Sequence, residues 1–513
     1  MKSLLAESRK TEYGDWQTNL SLAVAVCEHL KAKGLRPQVV IEPTCGIGNF
    51  ILAALLTFDG IEDVYGIEIT KPYLDRLRET LERTPNITAK TQIHLLNQSI
   101  FDADLASIKK SFRGKNVLAL GNPPWVTNSK LGELDSPNLP QKSNIKRAKG
   151  IDAITGKGNF DIAEFICLQM AELLAGEKAH MAFLLKNSVV RNLVQAQKDA
   201  VHPLADMEQL SIDAQKEFGV AVAASLFCAK ISRQAGTTCF CRDFHTGDNQ
   251  SEYGWIDEKF VSDIHGYASN RTIDGQSPFM WRSGVKHDCS QVMELEKTGD
   301  GYINGLGEIV DIEPAAVFPL LKSSDIKEKE ISRIRKSVIL TQHFSSEDTS
   351  SLKTRFPKLF AYLMRHAPLL DGRKSTIYRN RPRFCMFGIG PYTFGKYKVV
   401  VSGLYKHARF ALASEIDGKC VIPDDTCYFL GFDNYDRAKL VLEILNSRHV
   451  QNFIKSVYFP DAKRAITKDL LMRIDLQAAL RLMKEESVVQ EKNVACLMET
   501  FSEQAEHVQL SLF

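Results

Sequence analysis

The feature that most constrains this chain is a regular alternation, over roughly the first 235 residues, of short β-branched runs with helix-period segments. Gln38–Glu42 (QVVIE) predicts a strand, Cys45–Gly48 a glycine-containing turn, and the residues through Leu56 a helix. Val64–Ile69 predicts a second strand and Lys71–Arg83 a helix. Ile93–Asn97 and Asn116–Gly121 predict strands three and four, Phe160–Leu174 a helix, and His180–Leu185 strand five; Ser211–Asp213 and Val220–Ile231 supply further strand. Parallel strands need long crossovers, and helices supply them while covering both faces of the sheet. The expected fold class is therefore α/β.

After residue 235 the rhythm breaks. Short strand-like runs and turns fill Phe240–Phe318, and Ser323–Arg335 is charged and helical in pattern. Arg373, Lys374, Arg379, Arg381 and Arg383 surround Tyr378. Tyr392–Val401 and Cys427–Phe432 predict aromatic strands, and helical patterns run from Asn434 to Phe501. The expected organisation is a catalytic domain over 1–235, a mixed α+β domain over 236–480 and a helical tail over 481–513. The polar stretch between Trp125 and Phe160, with Pro137, Pro140 and the basic Lys142–Lys149, is a loop of the length usually kept for function.

Composition narrows the function classes. No run of about 18 apolar residues is present, as a membrane helix would require, and MKSLLAESRK carries charge too early for a signal peptide. Lys plus Arg is 65 against 62 for Asp plus Glu, which excludes a purely electrostatic polyanion binder but leaves room for a local basic cleft. The 11 cysteines contain no CxxC pair, which argues against a disulfide framework or a zinc ribbon and for reduced thiols in the cytoplasm. The 12 histidines form no ligand-spaced cluster; His287 beside Asp288 is expected to be structural or to face nucleic acid, and no metal is expected.

The most informative residues are Asn122, Pro123, Pro124 and Trp125, directly after strand four, where open α/β sheets place their sites. They suit methylation of a planar, weakly nucleophilic amine. The nitrogen lone pair of an exocyclic amino group is delocalised into the ring. Two acceptors aimed at its N–H bonds, the Asn122 side-chain oxygen and the Pro123 carbonyl, draw the nitrogen toward tetrahedral geometry. The prolines remove competing donors and stiffen the turn, and Trp125 offers a face on which an extruded base can stack.

The cofactor half is Glu42-Pro43-Thr44-Cys45-Gly46-Ile47-Gly48 after strand one. Its glycines admit close backbone approach and start a helix, though the third glycine of a dinucleotide fingerprint is missing. Glu68, ending strand two, can accept both hydroxyls of an adenosine ribose. These features predict a nucleoside cofactor, and NPPW selects S-adenosylmethionine over NAD.

On these motifs the chain resembles the gamma-class N6-adenine DNA methyltransferases of restriction–modification systems. Tyr13-Gly14-Asp15-Trp16-Gln17-Thr18 is similar to their N-terminal cofactor motif, IEPTCGIG to the glycine-rich motif, Ile67-Glu68-Ile69 to the ribose-binding strand, and GNPPW to the catalytic motif. Lys216-Glu217-Phe218-Gly219-Val220 resembles a later segment whose Phe stacks on the flipped adenine. The likeness is strong over 13–235 and looser over 280–475, through Asp424–Tyr428 and Asp461–Arg464. It implies a Rossmann-like class I S-adenosylmethionine-dependent methyltransferase domain followed by a target-recognition domain, with double-stranded DNA as substrate.

The resemblance also implies roles. Gln17, Thr18, Glu42, Pro43, Cys45, Gly46, Gly48, Glu68, Ile69 and Ser99 would hold the cofactor, with Gln17 and Thr18 over its methionine part and Glu42 near its cationic end. Ser99 stands where the family carries an acid, with Asp102 three residues on. Asn122, Pro123, Pro124, Trp125 and Phe218 would act on an adenine sandwiched between Trp125 and Phe218. A separate cognate restriction endonuclease is implied as partner, and no cleavage activity is expected in this chain. NPP motifs also serve protein glutamine-N5, rRNA guanine-N2 and cytosine-N4 methyl transfer, the last usually with Ser in place of Asn122; the large basic and aromatic C-terminal part favours DNA, and the Asn favours adenine. Finally, Gln509-Leu510-Ser511-Leu512-Phe513 resembles the pentapeptide that binds the bacterial sliding clamp, which would place the enzyme with the nucleoid in use.

Overall fold

The structure is a computed structural model and describes residues 17–84, 90–126, 161–299, 301–461 and 464–485. The loop between 127 and 160, Tyr13–Trp16, Ala462, Lys463 and the pentapeptide Gln509–Phe513 lie outside the described residues. The chain divides into two compact units, Met1–Ile264 and His265–Phe513.

In the first unit the elements run α1 (Leu20–Ala32), β1 (Val39–Glu42), α2 (Asn49–Thr57), β2 (Asp63–Glu68), α3 (Lys71–Glu82), β3 (Gln92–Asn97), α4 (Leu105–Ser111) and β4 (Asn116–Gly121). They continue through α5 (Ile162–Leu174), β5 (Lys178–Lys186), α6 (Asn187–Gln195), β6 (Leu204–Ile212), α7 (Ala214–Phe218), β7 (Ala224–Ile231), β8 (Thr238–Asp243), β9 (Ser251–Ile256) and β10 (Lys259–Val261). The sheet order is β10-β9-β8-β6-β7-β5-β4-β1-β2-β3. β3, β2, β1, β4 and β5 are all parallel, and β7 enters antiparallel between β5 and β6. This is the Rossmann-like class I methyltransferase arrangement, with the chain reversing direction across the sheet between β1 and β4.

Local chemistry explains the elements at that reversal. Asn19 caps α1, its side-chain oxygen accepting the Leu22 N–H at 2.8 Å. α1 buries Leu22, Ala23, Val26, Cys27 and Leu30 along one face. α2 is apolar nearly all round and packs its buried residues into the same core as Val40, Val64 and Leu118. β1, β4 and β7 are almost wholly buried, as strands covered on both faces must be.

Three expectations are corrected. The first unit ends at Ile264 rather than near 235, because β8 pairs parallel with β6 and β9 and β10 extend the same sheet. β6 is nine residues long, not the short Ser211–Asp213 run, and holds an irregularity at Ala205/Glu208 where Asp206 takes a positive φ of 50°; that bulge breaks the period-2 pattern by which a strand is read. Ser323–Arg335 is not a helix: Ser323–Asp325 is one 3₁₀ turn, and Glu330–Ile331 pairs with Leu412–Ala413. Ile326 and Ile331 are buried, and five residues apart they do not share a helix face.

The second unit holds two sheets. Its strands are β11 (Arg282–Ser283), β12 (Glu294–Thr298), β13 (Gly301–Asn304), β14 (Ile309–Val310), β15 (Val317–Leu321), β16 (Glu330–Ile331), β17 (Lys336–Ile339), β18 (Tyr397–Ser402), β19 (Phe410–Ala413), β20 (Ile422–Pro423) and β21 (Cys427–Phe432). They form the orders β11-β21-β18-β19-β16 and β14-β13-β12-β17-β15-β20, antiparallel except for two pairs. β18 starts at Tyr397 and not Tyr392, because Pro391 opens a 3₁₀ turn. Helices at Tyr435–Leu445, Arg448–Val457 and Leu476–Glu485 follow, as the sequence pattern predicts.

Candidate active site

The parallel register β1–β4 (Ile41 opposite Ala119) brings the C-terminal ends of the two strands side by side. The glycine-rich turn after β1 and NPPW after β4 are thereby neighbours, though about 75 residues apart in sequence. Gly121 takes φ +149°, and a Cβ there would lie 3.2 Å from Cγ of Glu42. The glycine is what lets the start of NPPW lie close over Glu42.

Glu42 is 3% exposed. Burial, with Glu68 as a lesser repulsive neighbour, pushes its carboxyl well above the usual carboxylate range. Its Oε2 has no hydrogen-bond partner among the described residues. A buried acid in this state is poised to ionise against an incoming cation.

Glu68 is tied to the turn. Its Oε2 accepts the Gly46 N–H at 2.9 Å, and its Oε1 accepts the Thr70 N–H at 2.7 Å. Asn97 at the end of β3 donates to the carbonyls of Glu68 and Ile69 at 3.0 and 3.1 Å, which fixes the end of β2. Ile69 beside it is 49% exposed, an apolar surface next to a carboxylate. Gly46 has φ +53°, and a Cβ there would lie 2.5 Å from Oε1 of Gln17. Pro43 and Cys45 are buried in the turn. Gln17 thus lies across the turn. Ser99 is buried after β3, its hydroxyl accepting the Phe101 N–H at 3.2 Å, while Asp102 is exposed.

Thr18 joins the two halves. Its carbonyl accepts from Asn49 Nδ2 at 2.7 Å, and its hydroxyl accepts from Asn122 Nδ2 at 3.2 Å. The amide nitrogen of Asn122 is the end turned to Thr18, so the carbonyl oxygen, the acceptor the chemistry requires, is turned the other way. Pro123 is buried and Pro124 half-buried. The Trp125 indole N–H donates to the Leu184 carbonyl on β5 at 3.2 Å.

Phe218 ends α7, which Asp213 caps through the Lys216 N–H and which Gly219 terminates at φ +71°. Asn19 Nδ2 donates to Glu217 Oε2 at 2.9 Å, linking α7 to α1. The Trp125 and Phe218 rings meet edge to face, with centroids 5.3 Å apart. Both predicted aromatics are therefore in one place, but the gap expected between them is closed. A base held between two stacked rings needs about 7 Å, two layers of ~3.5 Å. Asn19, Asn49, Thr70 and Asn97 were not singled out from the sequence. Asn97 ends β3 and the others sit one or two residues from a strand end or a motif, and that is the only signal they carry.

No family model matches the chain. It is 38% identical over 487 residues to the type II methyltransferase M.NspV of Nostoc sp., a match covering 93% of this chain and 99% of that protein. The chain belongs to the type II methyltransferases. Among solved structures, the type IIL restriction-modification enzyme MmeI in complex with DNA overlaps 98% of this chain and 77% of its own at TM-score 0.49 and 12% identity. A putative class I S-adenosylmethionine-dependent methyltransferase from Listeria monocytogenes overlaps 45% of this chain and 67% of its own at 0.33 and 11%. At such scores the sheet order itself carries the fold assignment.

The second unit of this type II methyltransferase sorts the basic run predicted at 373–383. Arg373 lies 3.7 Å over the Tyr378 ring and donates to the carbonyls of Leu370, His287 and Cys385 at 2.7, 3.3 and 2.8 Å. Arg383 pairs with both Asp371 oxygens. These two hold their own loop. Lys374, Arg379 and Arg381 are exposed. His287 is buried; its Nδ1 accepts the Cys289 N–H at 3.2 Å, and Nε2 lies 3.6 Å from Glu294. Burial lowers its pKa. Its partners are structural, and among the described residues no group of three or more His, Cys, Asp or Glu could hold a metal ion. No described helix is long and apolar enough to cross a membrane.

Proposed function

We propose that this type II methyltransferase transfers a methyl group from S-adenosylmethionine to N6 of an adenine turned out of double-stranded DNA. The observation that carries the reading is the placement of Asn122 at the end of β4, its amide oriented by Thr18, beside the Gly46–Gly48 turn at the end of β1.

The residues fit the cofactor. Glu68 offers acceptors for ribose hydroxyls beside the turn, Ile69 an apolar face for the adenine, and buried Glu42 a carboxylate for a cationic end, with Gln17 across the turn and Ser99 after β3. Bound S-adenosylmethionine supplies an electrophilic methyl group. Asn122 Oδ1 and the Pro123 carbonyl accept hydrogen bonds from the two N6 N–H groups, which localises the nitrogen lone pair for attack. With the cofactor bound, N6 would gain the methyl group as the sulfonium loses it, and the extra N6 proton would leave to solvent because the methylated nitrogen is strongly acidic. Pro124 keeps the turn rigid, and Trp125 stacks on the base. Entry of the base parts Trp125 from Phe218, which then covers its other face.

In this reading the second unit recognises the target, Lys374, Arg379 and Arg381 grip phosphates, and a separate endonuclease is the cognate partner. The peptide Gln509–Phe513 tethers the enzyme to a sliding clamp and so raises its local concentration on new DNA; deleting it should abolish clamp affinity and spare activity on short duplexes.

The test is to incubate the protein with S-adenosylmethionine and duplex DNA, with RNA and protein extract in parallel, and to analyse the digests by mass spectrometry. N6-methyladenine in the DNA digest alone supports the reading. N4-methylcytosine, or label in RNA or protein only, overturns it.

A further inference from the structure

The most lopsided charge distribution in the chain lies between Asp371 and Glu415. Nine Lys or Arg residues occur there, with no Asp or Glu. The whole chain is only +3, so the remainder is net acidic. Arg373, Arg383 and Lys398 are spent on internal contacts. Lys406 and Arg409 are exposed, though the Arg409 guanidinium also donates to the Lys327 carbonyl. Both belong to the seven-residue connection Gly403–Arg409 between β18 and β19, which pair antiparallel from Lys398–Ala413 to Val401–Phe410.

This connection has a fixed base and a bare tip. At the base, Gly403 N–H donates to the Thr426 carbonyl at 2.8 Å and Leu404 N–H to Ser402 Oγ at 3.1 Å. The Ser402 hydroxyl donates to Ser323 Oγ at 2.8 Å inside the unit. On the other side Tyr458 donates to the Lys406 carbonyl, and Gln451 Nε2 to the Ala408 carbonyl at 3.0 Å. At the tip, Leu404 and Tyr405 are 44% and 40% exposed, and Lys406 and His407 beside them are exposed too. Two adjacent large apolar side chains left in solvent on a pinned backbone are unusual, since a loop with no partner normally presents polar residues there. Tyr405 and Phe344 are the only aromatic residues among the exposed large hydrophobics of the described residues.

We infer that Leu404–His407 is a base-reading finger of the second unit: Leu404 and Tyr405 enter a groove of duplex DNA against base edges, and Lys406 anchors the finger on a phosphate. The inference rests on the proposal that the substrate is DNA. An apolar and aromatic tip suits thymine methyl groups and base edges, the adjoining Lys406 suits the backbone, and the rigidity of the base lowers the ordering cost of binding. No carboxylate lies anywhere in the segment to repel the duplex.

The experiment compares wild type, Leu404→Ala, Tyr405→Ala and Lys406→Gln on a duplex library randomised around the methylated base, read by sequencing. S-adenosylmethionine affinity and thermal unfolding serve as controls for an intact protein. Tyr405→Ala or Leu404→Ala should lower the rate on the preferred site at least tenfold and relax preference at one or two positions. Lys406→Gln should weaken binding alike on all sequences and reduce the salt slope by about 1. An unchanged site profile in both apolar variants, with or without a uniform loss of rate, overturns the finger. Wild type that leaves DNA unmethylated overturns the DNA reading, and the finger with it.

Discussion

The first unit gathers its acting residues, and the second disperses them. In the first, Glu42 to Gly48, Glu68, Ile69, Ser99 and Asn122 to Trp125 lie at or just after the C-terminal ends of β1 to β4, and Gln17, Thr18 and Phe218 are brought against them from the start of α1 and the end of α7. In the second, five neighbouring cations that look equivalent in sequence divide into two kinds: Arg373, half-buried, and Arg383, exposed, are bound to their own loop, while Lys374, Arg379 and Arg381 are exposed away from it. The difference follows from architecture. A parallel sheet presents all its C-terminal strand ends on one side, so a residue's place after a strand already locates it. The mixed, mostly antiparallel sheets of the second unit give no such rule, and a guanidinium satisfies whichever carbonyls the fold brings within reach.

The comparison breaks most sharply at Asn122. Asn122→Ala should leave S-adenosylmethionine affinity near wild type while lowering the single-turnover rate by about 10²–10³-fold, the usual effect of removing one transition-state partner. Equal rates in a rapid-quench assay would take Asn122 out of the chemistry.

A second test concerns the turn. Gly48 sits at φ +79°, and a Cβ there would come within 2.2 Å of Leu77 Cδ1. Gly48→Ala should cost about 1–3 kcal/mol in backbone strain and displace Leu77 as well. Adding Leu77→Ala removes the contact but not the strain, so the double variant should recover less stability than a purely steric account predicts. Chemical denaturation of the set decides this.

The second unit offers a test of opposite sign. Lys398 is fully buried, and among the described residues its Nζ donates to the Gly395 carbonyl alone, at 2.7 Å. Burial lowers its pKa to about 8. A lysine whose folded pKa lies below its unfolded value binds fewer protons when folded. It therefore destabilises fully below pH 8, and the penalty fades as pH rises toward the unfolded value of 10.5. Lys398→Met should raise stability by roughly 2–3 kcal/mol at neutral pH and flatten the rise between pH 8 and 10.5. Unfolding free energies measured across that window would show a smaller slope for the variant; an unchanged slope would mean that Lys398 is not the group responsible.

The finest contrast is between two arginines a few residues apart. Arg373→Ala should cost about 2–3 kcal/mol of stability, because it strips a charged donor from buried carbonyls. Arg379→Ala should leave stability within about 0.5 kcal/mol and lower only DNA affinity, with a salt slope smaller by about 1. Calorimetry and salt titrations together distinguish them, and a stability loss at Arg379 would erase the division drawn here.

Much of the first unit is legible without coordinates. Val39–Glu42 and Asn116–Gly121 announce themselves as buried strands by their β-branched and aliphatic runs. Gly46 and Gly48 mark a turn open to close backbone approach, and Pro123 and Pro124 mark a stiff one. What the pattern could not show is that Gly121 lets NPPW approach Glu42, that Thr18 bridges Asn49 and Asn122, or that Trp125 and Phe218 touch. Nor does periodicity show that β8 joins the first sheet or that Ile326 and Ile331 belong to a turn and a strand.

By itself, then, the sequence determined the alternating α/β plan and the motifs that follow its strands, because period, glycine and proline act through neighbours along the chain. The tertiary structure alone decided which distant side chains meet, which cations remain exposed and which apolar residues stay in solvent at Leu404 and Tyr405. Those outcomes depend on contacts between segments far apart in sequence, where burial and hydrogen-bond satisfaction outweigh local preference.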